Sequence, residues 1–336
     1  MKAPEKTDDD SQAVPLDELD RKLLNEIQWE FPIVQRPYLA LAEKLQSDKK
    51  EVMRRIQKLR DSGVIRQINA IYDTRRLGYS STLVSFSVED GRIDEVAERI
   101  NAHPGVSHNY KREGVFNLWF TLATPPGTDI GMEAAGLASE TGVERWHLLP
   151  ATKLYKIGVR LNMTDEQVES PREKRKWDTQ FTVSEDDRVF IRATQKDLPA
   201  VEEPFNIMAA EAGMSVGKMF DRFQYYYEIG VMRRFAAILR HQKAGFVANG
   251  MVCWRADEKE SQELAEAAVE HSEISHCYMR PTYSDWPYST YTMIHGKDRR
   301  ECETIASEIS RETGISDYVI LYSTKEYKKQ RVEYFV

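Results

Sequence analysis

Residues 63–79 read GVIRQINAIYDTRRLGY and residues 230–246 read GVMRRFAAILRHQKAGF. Gly63 recurs as Gly230 and Gly78 as Gly245, a constant displacement of 167 positions. In each stretch a glycine closes what precedes it, a short apolar run follows, and a second glycine permits the next reversal, giving turn, strand, turn. The repeat extends upstream, where Asp20-Arg21 recurs as Asp187-Arg188, Pro32 as Pro199, Pro37 as Pro204 and Ala42 as Ala209. Downstream, after one residue of drift, Val106-Ser107-His108-Asn109-Tyr110 recurs as Ile274-Ser275-His276-Cys277-Tyr278. One structural unit is therefore present twice. The cationic content, however, is concentrated in the second copy. There the apolar run, Phe235 to Leu239, is flanked by Arg233, Arg234, Arg240, His241 and Lys243. A strand buried on one face gathers so many cations only if they meet solvent or an anionic ligand.

The first copy fixes the elements. Leu16, Leu19, Leu23, Leu24 and Ile27 have helical spacing, with Asp17 and Glu18 in the first turn. Phe31-Pro32 ends that helix, and Pro37 fits the start of a second. Ser47 or Asp48 caps a third, with Val52, Ile56 and Leu59 on its apolar face and Gly63 at its end. Three short helices and a strand, Ile65 to Tyr72, make a winged helix-turn-helix whose third helix carries Lys49, Lys50, Arg54, Arg55, Lys58 and Arg60. There follow a strand (Thr82 to Val88), a helix (Arg92 to Ala102), a hairpin (Val106 to Arg112 and Val115 to Thr124, turned at Glu113-Gly114), a helix (Ile130 to Thr141) and a strand (Val143 to Tyr155). That order, βαββαβ, is the ferredoxin-like split motif.

The sequence thus predicts an α+β protein, a tandem duplication of a winged helix-turn-helix plus a ferredoxin-like βαββαβ domain that folds as an intramolecular pseudo-dimer. The expected map is a disordered lead (1–15), winged helix-turn-helix (16–79), α/β domain (80–161), polar linker (162–182), degenerate winged helix-turn-helix (183–245) and second α/β domain (246–336). The second reading helix, Ser215 to Glu228, carries Phe220, Phe223, Tyr225, Tyr226 and Tyr227, a poor surface for a DNA groove. The net charge of -7 over 336 residues also argues against nucleic acid as a general partner. The three cysteines, Cys253, Cys277 and Cys302, show no CxxC or zinc spacing and suit a reducing cytoplasm. No apolar run approaches the length of a membrane span, and the amino terminus lacks a signal-peptide core.

These residues carry a resemblance. The unit from Asp20 to Tyr79 resembles the AsnC/Lrp family of feast-famine regulators. More particular stretches, FP...RPY (Phe31 to Tyr38), REG.FNLWFTL (Arg112 to Leu122) and RRF.A.LRHQKAGF (Arg233 to Phe246), resemble the siroheme decarboxylases. Those enzymes are normally pairs of related two-domain subunits, and here both lie in one chain. The resemblance implies removal of carbon dioxide from two acetate side chains of siroheme, giving didecarboxysiroheme for heme or heme d1 biosynthesis. It implies no cofactor beyond the iron carried by the siroheme substrate. The expected partners are siroheme and its decarboxylated product, with no DNA and no membrane; a homo-oligomer of the fused chain is compatible with the family.

The chemistry suits the residues. A flat macrocycle edged with carboxylates needs fixed cations and aromatic walls. Converting an acetate to a methyl needs a proton where carbon dioxide departs, and the conjugated ring itself can delocalise the carbanion. His241, among Arg233, Arg234, Arg240 and Lys243, is the leading proton donor. His276, Tyr278 and Arg280 form a period-two row on one strand face, repeated in the first copy as His108, Tyr110 and Arg112. His276 is the alternative donor or a ligand to the siroheme iron. Arg233, Arg234, Arg240 and Arg280 are expected to hold carboxylates, with Trp119 or Trp286 as a wall from the neighbouring strand. Taken without the resemblance, His241 in a turn reads as an ordinary solvated histidine, and the His-x-Tyr-x-Arg row reads equally as the polar outer face of a sheet. His147 and His295 belong to no evident constellation. Two other functions fit the same frame: an AsnC/Lrp-type ligand-responsive transcription regulator, and a heme-binding sensor without turnover.

Overall fold

The computed structural model describes residues 14–157, 180–239 and 248–336. These form two compact units, each built from both copies of the repeat: a helical unit (14–77, 180–239 and 334–336) and an α/β unit (78–157 and 248–333). The expected lead and linker lie almost wholly outside the described residues, as do Arg240, His241 and Lys243.

In the helical unit the first copy supplies α1 (Glu18–Trp29), α2 (Pro37–Lys44), α3 (Lys49–Asp61) and β1 (Ile65–Tyr72). Asp17 closes a capping box with Asp20, Pro37 opens α2, and Asp48 caps α3, accepting from the Lys50 N–H at 2.8 Å. After the α/β elements of the first copy, the second copy repeats the set with α6 (Glu185–Thr194), α7 (Pro204–Glu211), α8 (Val216–Glu228) and β7 (Met232–Leu239). Gly63 (φ 72°) and Gly230 (φ 73°) turn the chain from reading helix into strand through the left-handed region, where a side chain would be strained.

The strands β1 and β7 pair antiparallel and tie the two copies together, with Ala70 opposite Phe235. Around them lies an aromatic core: Phe205, Phe223 and Phe31 all pack against Phe235, at centroid distances of 5.4, 5.6 and 6.1 Å. The aromatic run of α8 divides accordingly. Tyr226 is 1% exposed and donates to Asp187, while Tyr225 is 48% exposed. The cations of α3 are largely engaged within the chain. Arg55 reaches Asp17, Asp20 and Glu51 at 2.6 to 2.7 Å, Arg54 reaches Glu51 at 2.7 Å, and Lys58 reaches Asp20 at 3.3 Å. Lys49 and Arg60 cross to the second copy, to Glu202 and to Asp197.

The α/β unit contains β2 (Ser80–Phe86), α4 (Ile93–Asn101), β3 (Val106–Arg112), β4 (Leu118–Thr124), α5 (Ile130–Thr141), β5 (Trp146–Leu149) and β6 (Lys153–Ile157) from the first copy. From the second come β8 (Ala248–Trp254), α9 (Glu258–Glu270), β9 (Ile274–Met279), β10 (Thr290–Gly296), α10 (Arg299–Thr313) and β11 (Tyr318–Lys329). All the strands join one sheet in the order β5-β2-β4-β3-β11-β8-β10-β9-β6. The strand expected over 143–155 is in fact two. Pro150, with no N–H for a ladder, ends β5 on β2, and the chain crosses to pair β6 with β9 of the second copy. In the second copy β11 is unbroken: residues 318–322 pair with β8 of its own half, and residues 323–329 with β3 of the other. The hairpin also turns later than expected. Gly114, at φ 116°, begins a turn over 113–117, and the second strand starts at Leu118.

The helices of each copy cover one face of its strands. Phe86, Phe120 and Ile100 centre the first helix-covered core, and Trp254, Ile294 and Ile309 the second. The opposite faces share a third core of Phe116, Trp119, Leu149, Met251, Cys253, Trp286, Tyr291 and Leu321, drawn from both copies. Trp119 is 1% exposed, lies 5.6 Å from Trp286 between ring centroids, and donates its indole N–H to the Phe116 carbonyl at 2.6 Å. Trp119→Ala should therefore cost about 3–5 kcal/mol in denaturant unfolding of the α/β unit. A loss below about 1 kcal/mol would show that the two inner faces do not form one core.

Candidate active site

The row predicted on β9 is present. His276, Tyr278 and Arg280 leave the strand at every second residue; the imidazole stacks beside the phenol (5.8 Å, 22°), and the guanidinium lies 5.0 Å over the phenol ring. On β3, His108, Tyr110 and Arg112 repeat the arrangement, at 6.4 Å with 30° and at 5.4 Å. Both rows belong to the inner, helix-free side, where Arg280 also covers the Tyr291 ring at 5.4 Å.

The arginines end each row in a crossed clasp. Arg112 Nη1 donates to the Leu321 carbonyl of the second copy at 2.9 Å, and Arg280 Nη1 donates to the Leu149 carbonyl of the first. In both side chains Nε is buried without a hydrogen-bond partner, and no described carboxylate forms an ion pair with either. Desolvation pushes both guanidinium pKa values down, only partly opposed by the neighbouring phenols. Arg112 is 5% exposed. Charges withdrawn from water without an anion are costly, so this pair is electrostatically unfinished.

Two histidines that the sequence left unassigned acquire surroundings. His295, on β10, places Nε2 at 2.6 Å from Ser275 Oγ, and the same hydroxyl lies 2.7 Å from His276 Nδ1. Burial is the main reason that the His295 pKa falls to about 3, with His276, Lys329 and Arg112 adding positive charge nearby. His147, on β5, stacks on Tyr283 at 3.9 Å and 18°, and its Nε2 lies 2.9 Å from Asp285, which also pairs with Arg145 at 2.8 Å. This second group fastens the β9–β10 loop to β5. The repeat Ser107-His108 and Ser275-His276 was visible in the sequence. The partnership with His295 depends on ladder register, which sets Met293 opposite His276, and no sequence spacing announces it.

The remaining candidates are dispersed. Arg233, on β7 of the helical unit, pairs with Asp73 at 2.7 Å, and Arg234 lies 5.3 Å over Trp29. Trp286 is not on a neighbouring strand. It sits in the loop between β9 and β10, 7% exposed, and donates its indole N–H to the Tyr291 hydroxyl at 2.7 Å. Arg240, His241 and Lys243 fall outside the described residues. Among the described residues no cluster of histidine, cysteine and carboxylates is arranged to hold a metal ion. The three cysteines are buried, and desolvation raises each thiol pKa, that of Cys277 to about 12. They are not nucleophiles.

Comparison with known proteins gives a consistent set of likenesses. Residues 76–156 and 243–328 match the model of the AsnC-like ligand binding domain, and residues 20–66 and 187–233 match that of the siroheme decarboxylase NirDL-like HTH domain. The chain is 38% identical to a siroheme decarboxylase of Hydrogenobacter thermophilus over 94% of both chains. A siroheme decarboxylase beta subunit of Oleidesulfovibrio alaskensis is 39% identical and matches 46% of this chain with 98% of its own length, as expected of one half. The crystal structure of the siroheme decarboxylase NirDL in complex with an iron-uroporphyrin III analogue superposes with a TM-score of 0.74, at 33% identity and 95% coverage of each chain.

The depressed histidines set an acid limit. An imidazole whose folded pKa lies below its unfolded value of about 6.5 keeps the native state from binding a proton that the unfolded chain takes up. Stability contributed at neutral pH is therefore lost as the pH falls from about 6.5 toward the folded value, which for His295 is about 3. Denaturant midpoints followed across that window should fall for the wild type and fall less steeply for His295→Gln. Identical slopes would mean that His295 is not held neutral.

Proposed function

Because this chain belongs to the siroheme decarboxylase family, we propose that the unfinished cationic rows of its α/β unit hold siroheme by its carboxylates while two ring acetates lose carbon dioxide. The observation that carries this reading is the pair Arg112, buried, and Arg280, half-buried with its Nε enclosed, held in a crossed clasp and unmatched by any described anion. A polycarboxylate supplies the missing charges, and a guanidinium with several N–H donors has enough left after one carbonyl contact to grip one. Tyr110 and Tyr278, stacked between histidine and arginine, offer flat faces at the same rows. His108 and the loop residue Trp286 are assigned to the same substrate-holding group.

The reaction breaks the bond between the acetate methylene and its carboxylate. Carbon dioxide leaves, the electron pair passes to the methylene carbon and is delocalised by the macrocycle, and one proton completes the methyl group. His241 remains the leading donor on sequence grounds, with Arg234, Arg240 and Lys243, its neighbours in the sequence, as carboxylate partners. His276 is the second donor or a ligand to the iron that siroheme itself brings; the proposal calls on no further cofactor. Arg233 enters with Asp73 already beside it, so its part is to present charge held in a fixed position. No described helix is long and apolar enough to cross a membrane; we place the reaction in the cytoplasm on the cysteines, three free thiols that suit a reducing compartment. We place no DNA among the partners, since the cations of α3 are occupied within the helical unit and α8 turns its aromatic face to the core.

Anaerobic incubation with siroheme, followed by mass spectrometry, should show loss of two carbon dioxide units. An unchanged mass with bound siroheme would favour a sensor. Arg280→Ala should weaken siroheme binding by about 1.5–3 kcal/mol, the worth of a charge-assisted bond, whereas Lys50→Ala on the exposed side of α3 should change it little. Equal losses would mean general electrostatic capture. For DNA, a footprint at physiological salt in the range usual for specific binders, about 10⁻⁸ M or tighter, would restore the regulator reading; none is expected.

A further inference from the structure

The two copies of the His-x-Tyr-x-Arg row are not equivalent. On β3 the Ser107 hydroxyl lies 3.0 Å from His108 Nδ1. On β9 the Ser275 hydroxyl lies 2.7 Å from His276 Nδ1 and also 2.6 Å from His295 Nε2. Ladder geometry identifies what the first copy has in place of His295. The backbone N–H of His295 donates to Glu273 O, three residues before His276; that of Ala123 donates to Gly105 O, three residues before His108. Met293 is opposite His276, and Thr121 is opposite His108. Ala123 therefore occupies the position of His295, and a methyl group has no hydrogen bond to offer.

We propose that His295 is a positioning residue that fixes the tautomer of His276 through the Ser275 hydroxyl, making the second copy's row the one equipped for proton handling or iron ligation. The inference rests on the family reading for the role of His276, but the coupling itself does not. A hydroxyl has one proton. At 2.7 and 2.6 Å from two imidazole nitrogens, with the Met293 carbonyl a weaker acceptor at 3.5 Å, it donates to one and accepts from the other, so the protonation of one ring is coupled to that of its neighbour. His295 is held neutral by burial and by surrounding cations, which leaves it as one donor and one acceptor. If His295 gives its Nε2 proton to Ser275, the hydroxyl points at His276 Nδ1, and His276 carries its proton on Nε2. The reverse setting leaves Nε2 bare. Either way His276 presents one defined face, as a histidine does when a second group orients it. On β3 the corresponding position holds Ala123, so no second imidazole meets the Ser107 hydroxyl there.

The test uses the full-length protein and three variants, His295→Phe, Ser275→Ala and the double variant. Nitrogen-15 NMR of the histidine rings, recorded above the ordinary histidine pKa of about 6.5, reads the tautomer directly and without turnover. One tautomer of His276 is expected in the wild type, and a mixture or the opposite tautomer in both single variants. Unchanged His276 shifts in His295→Phe would overturn the proposal. Under saturating siroheme, each single variant should lose about 10–100-fold in kcat while binding siroheme within about threefold of wild type, as for other orienting partners. The double variant should be no slower than Ser275→Ala, because the two residues act in series. Multiplying losses would show independent effects and would also sink the idea. A wild-type protein that leaves the mass of siroheme unchanged would refute the family reading, while the NMR comparison would still decide the coupling. Should His295→Phe fail to fold, Ser275→Ala and His295→Gln, whose amide reaches toward the same hydroxyl, carry the same comparison.

Discussion

Strand exchange between the two copies is the constraint on which the α/β unit depends. β11 completes the sheet of its own copy over residues 318–322 and then supplies the next strand beside β3, while β6 does the same for β9. Each half is left with an edge that only the other half fills. An open edge in water exposes a row of unpaired N–H and C=O groups, so the exchange removes a liability and fixes the register of the halves at once. Here the covalent link makes it intramolecular and independent of protein concentration. The shared inner core then has no freedom to slide, because a one-residue slip would turn Trp119 and Tyr291 out of it.

The polar rows are a consequence of that register. β3 and β9 each lie next to an exchanged strand, with Lys329 opposite His108 and Ile157 opposite His276. Each arginine lies at the far end of its row and donates to a carbonyl of the other copy. A withdrawn charge that no described anion answers is held here by a carbonyl, a stacked phenol and the sheet framework. The cost is the expected signature of a site arranged for a ligand that brings its own carboxylates.

Much of this was legible in the sequence, because the repeat is a statement about spacing. The positions of Gly63 and Gly230, a cap at Ser47 or Asp48, which the structure gives to Asp48, and the row His276-Tyr278-Arg280 follow from local rules, and local rules survive folding. What was not legible depended on long-range pairing. Pro150 signalled a break, but only the ladder shows that the chain changes partners there. Trp286 looked like a strand residue because the β9–β10 loop is longer than its counterpart in the first copy. His295 and His147 were silent because their partners, Ser275 and Asp285, lie 20 and 138 positions away and meet them only in the assembled sheet.

Duplication followed by divergence leaves different marks on the two kinds of domain. In the helical unit the acid of the capping box persists in both copies, Asp20 buried against Arg55 and Asp187 half-buried near Arg222, with Tyr226 added to the second. A helix-turn-helix kept for DNA would leave its third helix free. This one binds α3 to α1 and to the second copy, and fills α8 with aromatic side chains that pack inward. The paired wings, β1 with β7, hold the cationic strand of the second copy in register with the first. In the α/β unit the separate β5 and β6 stand against an unbroken β11 and the β9–β10 loop is the longer, while beside the repeated Ser-His pairs Ala123 stands against His295. The division of labour proposed between the two rows therefore rests on one side chain set in a frame that both strands share.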